Sequence, residues 1–357
     1  MGNKETKTTE VQLRPGISCD VGTSNICVCR MDENGKFVNR FHRNMLYEMD
    51  VTDESTDLLE KSKYQYIKTE KKYFILGNDA LSLVSAMGRD DILRCMKDGF
   101  LNPALKNSSD LLFLIISSIV GKPIVENEPL RYSVPAPAID RDLDNLFHKI
   151  VLKGFFNKMG YDARDINEAM CVCYNDNPVM KGSDGVDVPL SGVTISFGAG
   201  LQNLALSFKG MSLVEFSCTK SGDYIDEMVS KVTGVAKSRV IRVKERDLDL
   251  DKINPEDRVQ VALGIYHDDL IDRVVHNISN KFKEKGSEMD GEVEVVVAGG
   301  TSMPRGFCQR FEDAIKKSDI PFRVYRVRAS DSPFFAVSQG ACIRAQGDYK
   351  KRSEKGV

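Results

Sequence analysis

Twice this chain carries an apolar, β-rich stretch into a turn of small residues and out into a second apolar stretch: ISCDVGTSNICVCR at 17–30 and VTISFGAGLQNLALSF at 193–208. Apolar runs on both sides of a glycine turn predict a β-hairpin. Two such hairpins, separated by a pattern break at Lys181-Gly182-Ser183-Asp184-Gly185 near the chain midpoint, suggest an internal duplication. A third strand over 293–297 ends in Ala298-Gly299-Gly300-Thr301-Ser302 and leads through Pro304 into a helical stretch. Strands alternating with helices predict an α/β protein of two related halves.

Local signals fill in the rest. Asp32-Glu33-Asn34-Gly35 contains the Asn-Gly pair favoured in hairpin turns. Residues 51–73 are charged and weakly patterned, which predicts a small exposed insertion rather than core. The apolar run over 111–120 follows Asn107-Ser108-Ser109-Asp110, a group of N-cap residues, and reads as a buried helix. A short strand over 131–134 stops at Pro135 and Pro137, and residues 140–159 have helical periodicity.

At 357 residues the chain is long enough for two domains or one two-lobed molecule. With 41% apolar and 29% charged residues it falls outside the disordered class. Lys plus Arg against Asp plus Glu gives 50 − 52 = −2, so no global basic field draws it to nucleic acid or membrane, and no direct nucleic-acid binding is expected. The longest apolar stretch, 111–116 resuming at 119–120, is far short of the roughly 20 residues that span a bilayer, so no membrane insertion is expected. The polar N-terminus has neither the apolar core of a signal peptide nor a transit peptide's character, and the expected compartment is the cytoplasm. Met1-Gly2 with Thr6 fits the N-myristoylation pattern formally and is read as chance. The nine cysteines read as reduced core thiols, with Cys27/Cys29 and Cys171/Cys173 spaced to share a strand face. There is no CxxC and the four histidines are scattered, which argues against zinc.

A glycine-rich turn between strands aims backbone N–H groups into a concave anion site with no Cβ to block a phosphate. Asp20, immediately before Val21-Gly22-Thr23-Ser24, is then placed to hold magnesium through its water shell. Any one such turn is also simply a hairpin turn.

The ordered set is more specific. DVGTSN at 20–25, GAG at 198–200, SGDYIDE at 221–227 and VVVAGGTSMPRG at 295–306 resemble the phosphate 1, phosphate 2, nucleotide-contacting and adenosine motifs of the actin superfamily. YFILGNDA (73–80), KDGFL (97–101) and SVPAPA (133–138) further resemble its prokaryotic filament branch, MreB, ParM and MamK, with MamK nearest. The resemblance spans roughly 17–345 and implies an actin-like ATPase fold: two ribonuclease-H-like lobes in four subdomains around a nucleotide cleft. It divides the chain into a tail at 1–14; a first core of 15–42, 92–187 and 325–346 with a small insertion at 43–91; a second core of 188–228 and 286–324 with an insertion at 229–285; and a basic tail at 347–357, read as a solvated end, with contact to filament neighbours, DNA or lipid as the alternative.

Carried over position by position, the resemblance implies that Gly22, Thr23, Ser24 and Asn25 form the first phosphate loop and Gly198, Ala199, Gly200 and Leu201 the second. Gly222 and Asp223 would lie beside sugar and phosphates, with Asp226 a structural carboxylate, and Gly299, Gly300, Thr301, Ser302 and Met303 would hold adenosine. Lys244 and Glu245 resemble the Lys-Glu pair flanking adenine; a solvated charge cluster reads equally well from those residues alone. Phe334-Phe335 resembles the family segment before the last helix, where aromatics are usually core.

The chain departs from the family at its second phosphate motif. Acids usually flank those glycines, but here stand Ser196, Leu201, Gln202 and Asn203. The family's water-orienting Glu or Gln, a few residues after the Val-Pro turn, points to Asp142 as the catalytic acid beside Asp20; as an acid near a helix start, Asp142 also fits a purely structural role. The resemblance thus implies an ATP- and Mg2+-binding cytoskeletal protein with slow hydrolysis, assembling head to tail with itself for positioning of an organelle or DNA through an adaptor. A non-polymerising ATP-binding adaptor and a small-molecule kinase of the same superfamily are the alternatives.

Overall fold

The computed structural model describes residues 12–142, 145–285 and 291–354. The myristoylation pattern at Met1-Gly2 and the last residues of the basic tail lie outside them. Two sheets of matching topology dominate. In the first, Ile17–Val21, Asn25–Met31 and Phe37–Arg43 form an antiparallel meander, and Glu128–Val134 then Tyr161–Asn167 add in parallel beyond Ile17–Val21. In the second, Gly192–Phe197, Gln202–Phe208 and Met211–Cys218 form the meander, while Gly291–Ala298 then Arg323–Ala329 add in parallel beyond Gly192–Phe197. This is the repetition that the two hairpins foretold.

Each sheet has its own core. Ile17, Cys19, Ile26, Leu130 and Tyr132 pack against the Ser108–Val120 helix on the first side. On the second, Ile195, Phe197, Leu204, Val295 and Val297 pack against Phe307 and Phe311 of the Phe307–Lys316 helix and Leu270, Val274 and Ile278 of the long Arg258–Lys285 helix. Between the two lies a third cluster, where Cys171 and Val172 of the Glu168–Asp176 helix meet Ala336, Val337 and Ala341 of the C-terminal Ala336–Glu354 helix. The helix backbones nearly touch: a Cβ on Gly340 would lie 1.8 Å from the Cys171 carbonyl oxygen, so only glycine fits.

Four local expectations change. Residues 51–73 are not merely exposed: the Asp53–Ser62 helix and the Lys72–Leu76 strand bury Leu59, Tyr73 and Ile75 with Tyr47, Ala80 and Val84 in a small core of their own. The Ser108–Val120 helix forms as expected, but Asn107 adopts a left-handed conformation (φ 60°) and makes no side-chain cap. Cys27 and Cys29 share the Asn25–Met31 strand, whereas Cys171 and Cys173 lie on a helix; so short an apolar run fits either period. Residues 347–354 continue the C-terminal helix rather than forming a separate tail. No described helix is long and apolar enough to cross a membrane.

Candidate nucleotide site

The two hairpin turns are built alike. The Gly22 amide donates to the Asn25 carbonyl at 3.0 Å, and the Gly198 amide donates to the Leu201 carbonyl at 3.0 Å. A Cβ on Gly22 would stand 2.6 Å from the Asn25 carbonyl, and one on Gly198 would stand 3.0 Å from that of Leu201, so the same crowding selects glycine in both turns. The turns face each other. Thr23 Oγ1 accepts the Gly99 amide at 2.9 Å, and the space beside Gly200 is filled by that same hydroxyl.

Around them lies one cavity of about 620 Å³. Of the residues singled out from the sequence, Asp20, Gly22, Thr23, Ser24, Asn25, Gly198, Ala199, Gly200, Leu201, Asp223, Lys244, Glu245, Gly299, Gly300, Thr301 and Met303 line it. Gly222 and Ser302 stand behind the wall. The Gly222 carbonyl accepts Lys244 Nζ at 3.1 Å, and Ser302 Oγ donates to the Gly299 carbonyl at 2.9 Å. A single carbonyl, that of Gly198, gathers three motifs: Ser221 Oγ donates to it at 2.6 Å, Thr301 Oγ1 at 2.9 Å and the Gly222 amide at 3.3 Å. Segments far apart in sequence therefore converge on one turn.

Asp142 does not join them. It is exposed and outside the cavity lining, while its neighbour Asp140 accepts the amide of Thr219 at 3.0 Å and its hydroxyl at 2.9 Å, tying the two halves together. An acid that the sequence did not single out, Glu168, the first residue of the central Glu168–Asp176 helix, does line the cavity. Its Oε2 accepts Asn203 Nδ2 at 2.8 Å, and Asn203 Oδ1 in turn accepts the Ala136 amide at 2.9 Å, so Asn203 bridges the Val-Pro segment and Glu168. Asp20 accepts Ser133 Oγ at 2.6 Å. Burial pushes Asp20 up to about 6, against the opposing effect of the Ser133 hydrogen bond. Burial, then the charge of Asp20, pushes Glu168 up to about 8. Two acids thus raised by burial face the same cavity.

Across the cavity the charges are paired. Burial pushes Asp223 up, but Arg94, Lys237 and Lys244 outweigh it and hold the carboxyl below its usual range; Arg94 forms an ion pair with it. Burial raises Asp226 despite an ion pair with Lys244 at 2.7 Å, which fits a structural carboxylate. Of the Lys-Glu pair, Lys244 thus faces its own half, while Glu245 is held by Arg43 of the other half, with one contact at 3.0 Å. Arg43 and Arg94 carried no motif in the sequence, and only the fold brings them to the cavity.

Solved structures define the class: this is an actin-like fold. The chain is similar to the MamK double helical filament (17% identity, TM-score 0.64, covering 92% of this chain and 98% of that one). It is similar to MreB 5 of Spiroplasma citri bound to AMPPNP (17% identity, TM-score 0.62, 96% and 99%) and to the ethanolamine utilization protein EutJ from Carboxydothermus hydrogenoformans (11% identity, TM-score 0.53, 95% and 92%). Within that class, the volactin family matches residues 16–345, and the chain belongs to it. Among curated proteins no sequence relative matches.

Proposed function

We propose that this protein binds ATP with Mg2+ in the cavity between its halves and assembles head to tail into filaments that position an organelle or DNA. The observation that carries the reading is the pair of like-built glycine turns, at Gly22 and Gly198, facing one another across a cavity that the Gly299–Thr301 loop also lines. Their small residues let a polyphosphate approach the backbone from both sides. The nucleotide-bound MreB and the filamentous MamK among the similar structures support the same reading.

Asp20 and Glu168 are oxygen donors of the kind magnesium takes, and neither is in an ion pair among the described residues. That donor set fits the ion, which when bound would neutralise phosphate charge. Glu168 is the residue we assign to orient the attacking water in place of Asp142, and Asn203 holds its carboxyl in position. With Ser196 and Asn203 neutral where the family places acids, turnover is slow, since phosphoryl transfer depends on positioning and charge stabilisation.

The test is to add ATP and Mg2+ to purified protein, sediment it and image the pellet. Filaments dependent on ATP, lost together with nucleotide binding in Asp20→Ala, are the expected result. Wild-type protein that stays in the supernatant with ATP bound would reject assembly; a variant behaving like wild type would reject Asp20.

A further inference from the structure

One wall of the cavity belongs to no phosphate motif. Phe41, at the far end of the Phe37–Arg43 strand, packs edge-to-face against Phe334 (ring centroids 5.2 Å apart, 79° between planes) and Phe335 (6.1 Å, 64°). The three rings line the cavity together with Pro333. Phe334 and Phe335 are half-buried rather than the core aromatics the sequence suggested, and Phe41, held by both, is 48% exposed. Also lining the cavity, from the loop of the second half, is Met303, 54% exposed.

Register places this wall relative to the phosphate turn. Asp20 pairs with Cys27, and Cys27 pairs with Phe41. Phe41 is thus two strand spacings, roughly 10 Å, from the acid beside the first turn. A nucleoside extends over such a span from its phosphates. Phe41 and Arg43 share one face of their strand, and Arg43 reaches Glu245 in the second half, so the ring lies on the side of the strand turned toward that half. The aromatic segment is also fastened to the glycine loop, because the Gly299 amide donates to the Pro333 carbonyl at 2.8 Å.

We propose that the Phe41 wall is the stacking platform for the base of the nucleotide, with Met303 on the base's other side. This rests on the nucleotide reading above and adds to it a contact from the first half. Every base has a π-face, so such a platform raises affinity for nucleotides over bare polyphosphate without choosing strongly between adenine and guanine.

The experiment compares binding of ATP and of inorganic tripolyphosphate, each with Mg2+, to the full chain by calorimetry. Phe41→Ala should weaken ATP roughly tenfold, within the range that base–aromatic stacking supplies, and leave tripolyphosphate unchanged. Phe41→Tyr should bind ATP like wild type. Met303→Ala, a change at an exposed site with little bearing on folding, should also weaken ATP alone. Equal loss of both ligands in Phe41→Ala and Met303→Ala, or unchanged ATP binding in both, would overturn the platform. Wild-type protein that binds neither ligand would overturn the nucleotide reading itself; wild type that binds both equally tightly would overturn only the platform.

Discussion

The two hairpins share a backbone and differ in chemistry. In the first, the residue two before the turn glycine is Asp20, hydrogen-bonded to Ser133. In the second, the same place holds Ser196, which pairs across its hairpin with Asn203. The turn is thus alike in both halves, while the acids facing the cavity next to the turns, Asp20 and Glu168, both come from the first half or the helix that leaves it. At the matching positions the second half has the neutral Ser196 and Asn203. The second half's own cavity acids, Asp223 and Asp226, are held by Arg94 and Lys244, whereas Asp20 and Glu168 are in no ion pair among the described residues.

Breaking this asymmetry should have graded effects. The largest is expected from parallel substitutions: Asp20→Ala should weaken Mg2+-dependent ATP binding about 100-fold, on the scale of losing a metal-linked group. Ser196→Ala should change it less than about twofold, and titration calorimetry on both variants checks the contrast. If the two lose affinity alike, the halves are equivalent. Next comes Asn203→Asp. It keeps the acceptor for the Ala136 amide but replaces the donor to Glu168 with a third acid, which should lower stability by about 2 kcal/mol at neutral pH, read from denaturant unfolding.

A pH slope tests the same pair of acids. Glu168 and Asp20 are raised in the folded chain, so the fold holds protons that the unfolded chain releases. Stability without nucleotide should therefore fall as pH rises from the ordinary carboxylate range, near 4.5, toward about 8. Melting temperatures across that window should drop by a few degrees. Glu168→Gln, which keeps an acceptor for Asn203, should flatten the upper part of the slope, and an unchanged slope would show that Glu168 ionises normally.

Some of this was readable from sequence for a specific reason. The turns at Gly22 and Gly198 repeat a local pattern, with a carbonyl three residues on crowding each glycine, more closely at Gly22 than at Gly198. Glu168 left no such trace. It opens a helix after a strand, and only the parallel pairing of Glu128–Val134 with Tyr161–Asn167 brings that strand end beside Asp20. Sequence proximity to the Val-Pro turn favoured Asp142 instead, but there the chain is exposed and Asp140 is spent on Thr219. Phe41 was invisible for a similar reason, since nothing in GKFVNRFHR distinguishes a ring at a cavity lip from any other strand residue. The core at Tyr47, Leu59 and Tyr73 was masked by the lysines and glutamates that cover it.

Gly340 sets how closely two helices can cross. With no side chain between the crossing helices, their backbones bear directly on one another at the Cys171 carbonyl, and the rod that crosses there carries Glu168 at its tip. Any side chain at 340 would force that crossing apart and shift the rod, and Glu168 with it, so one hydrogen atom in place of a methyl sets where the acid stands.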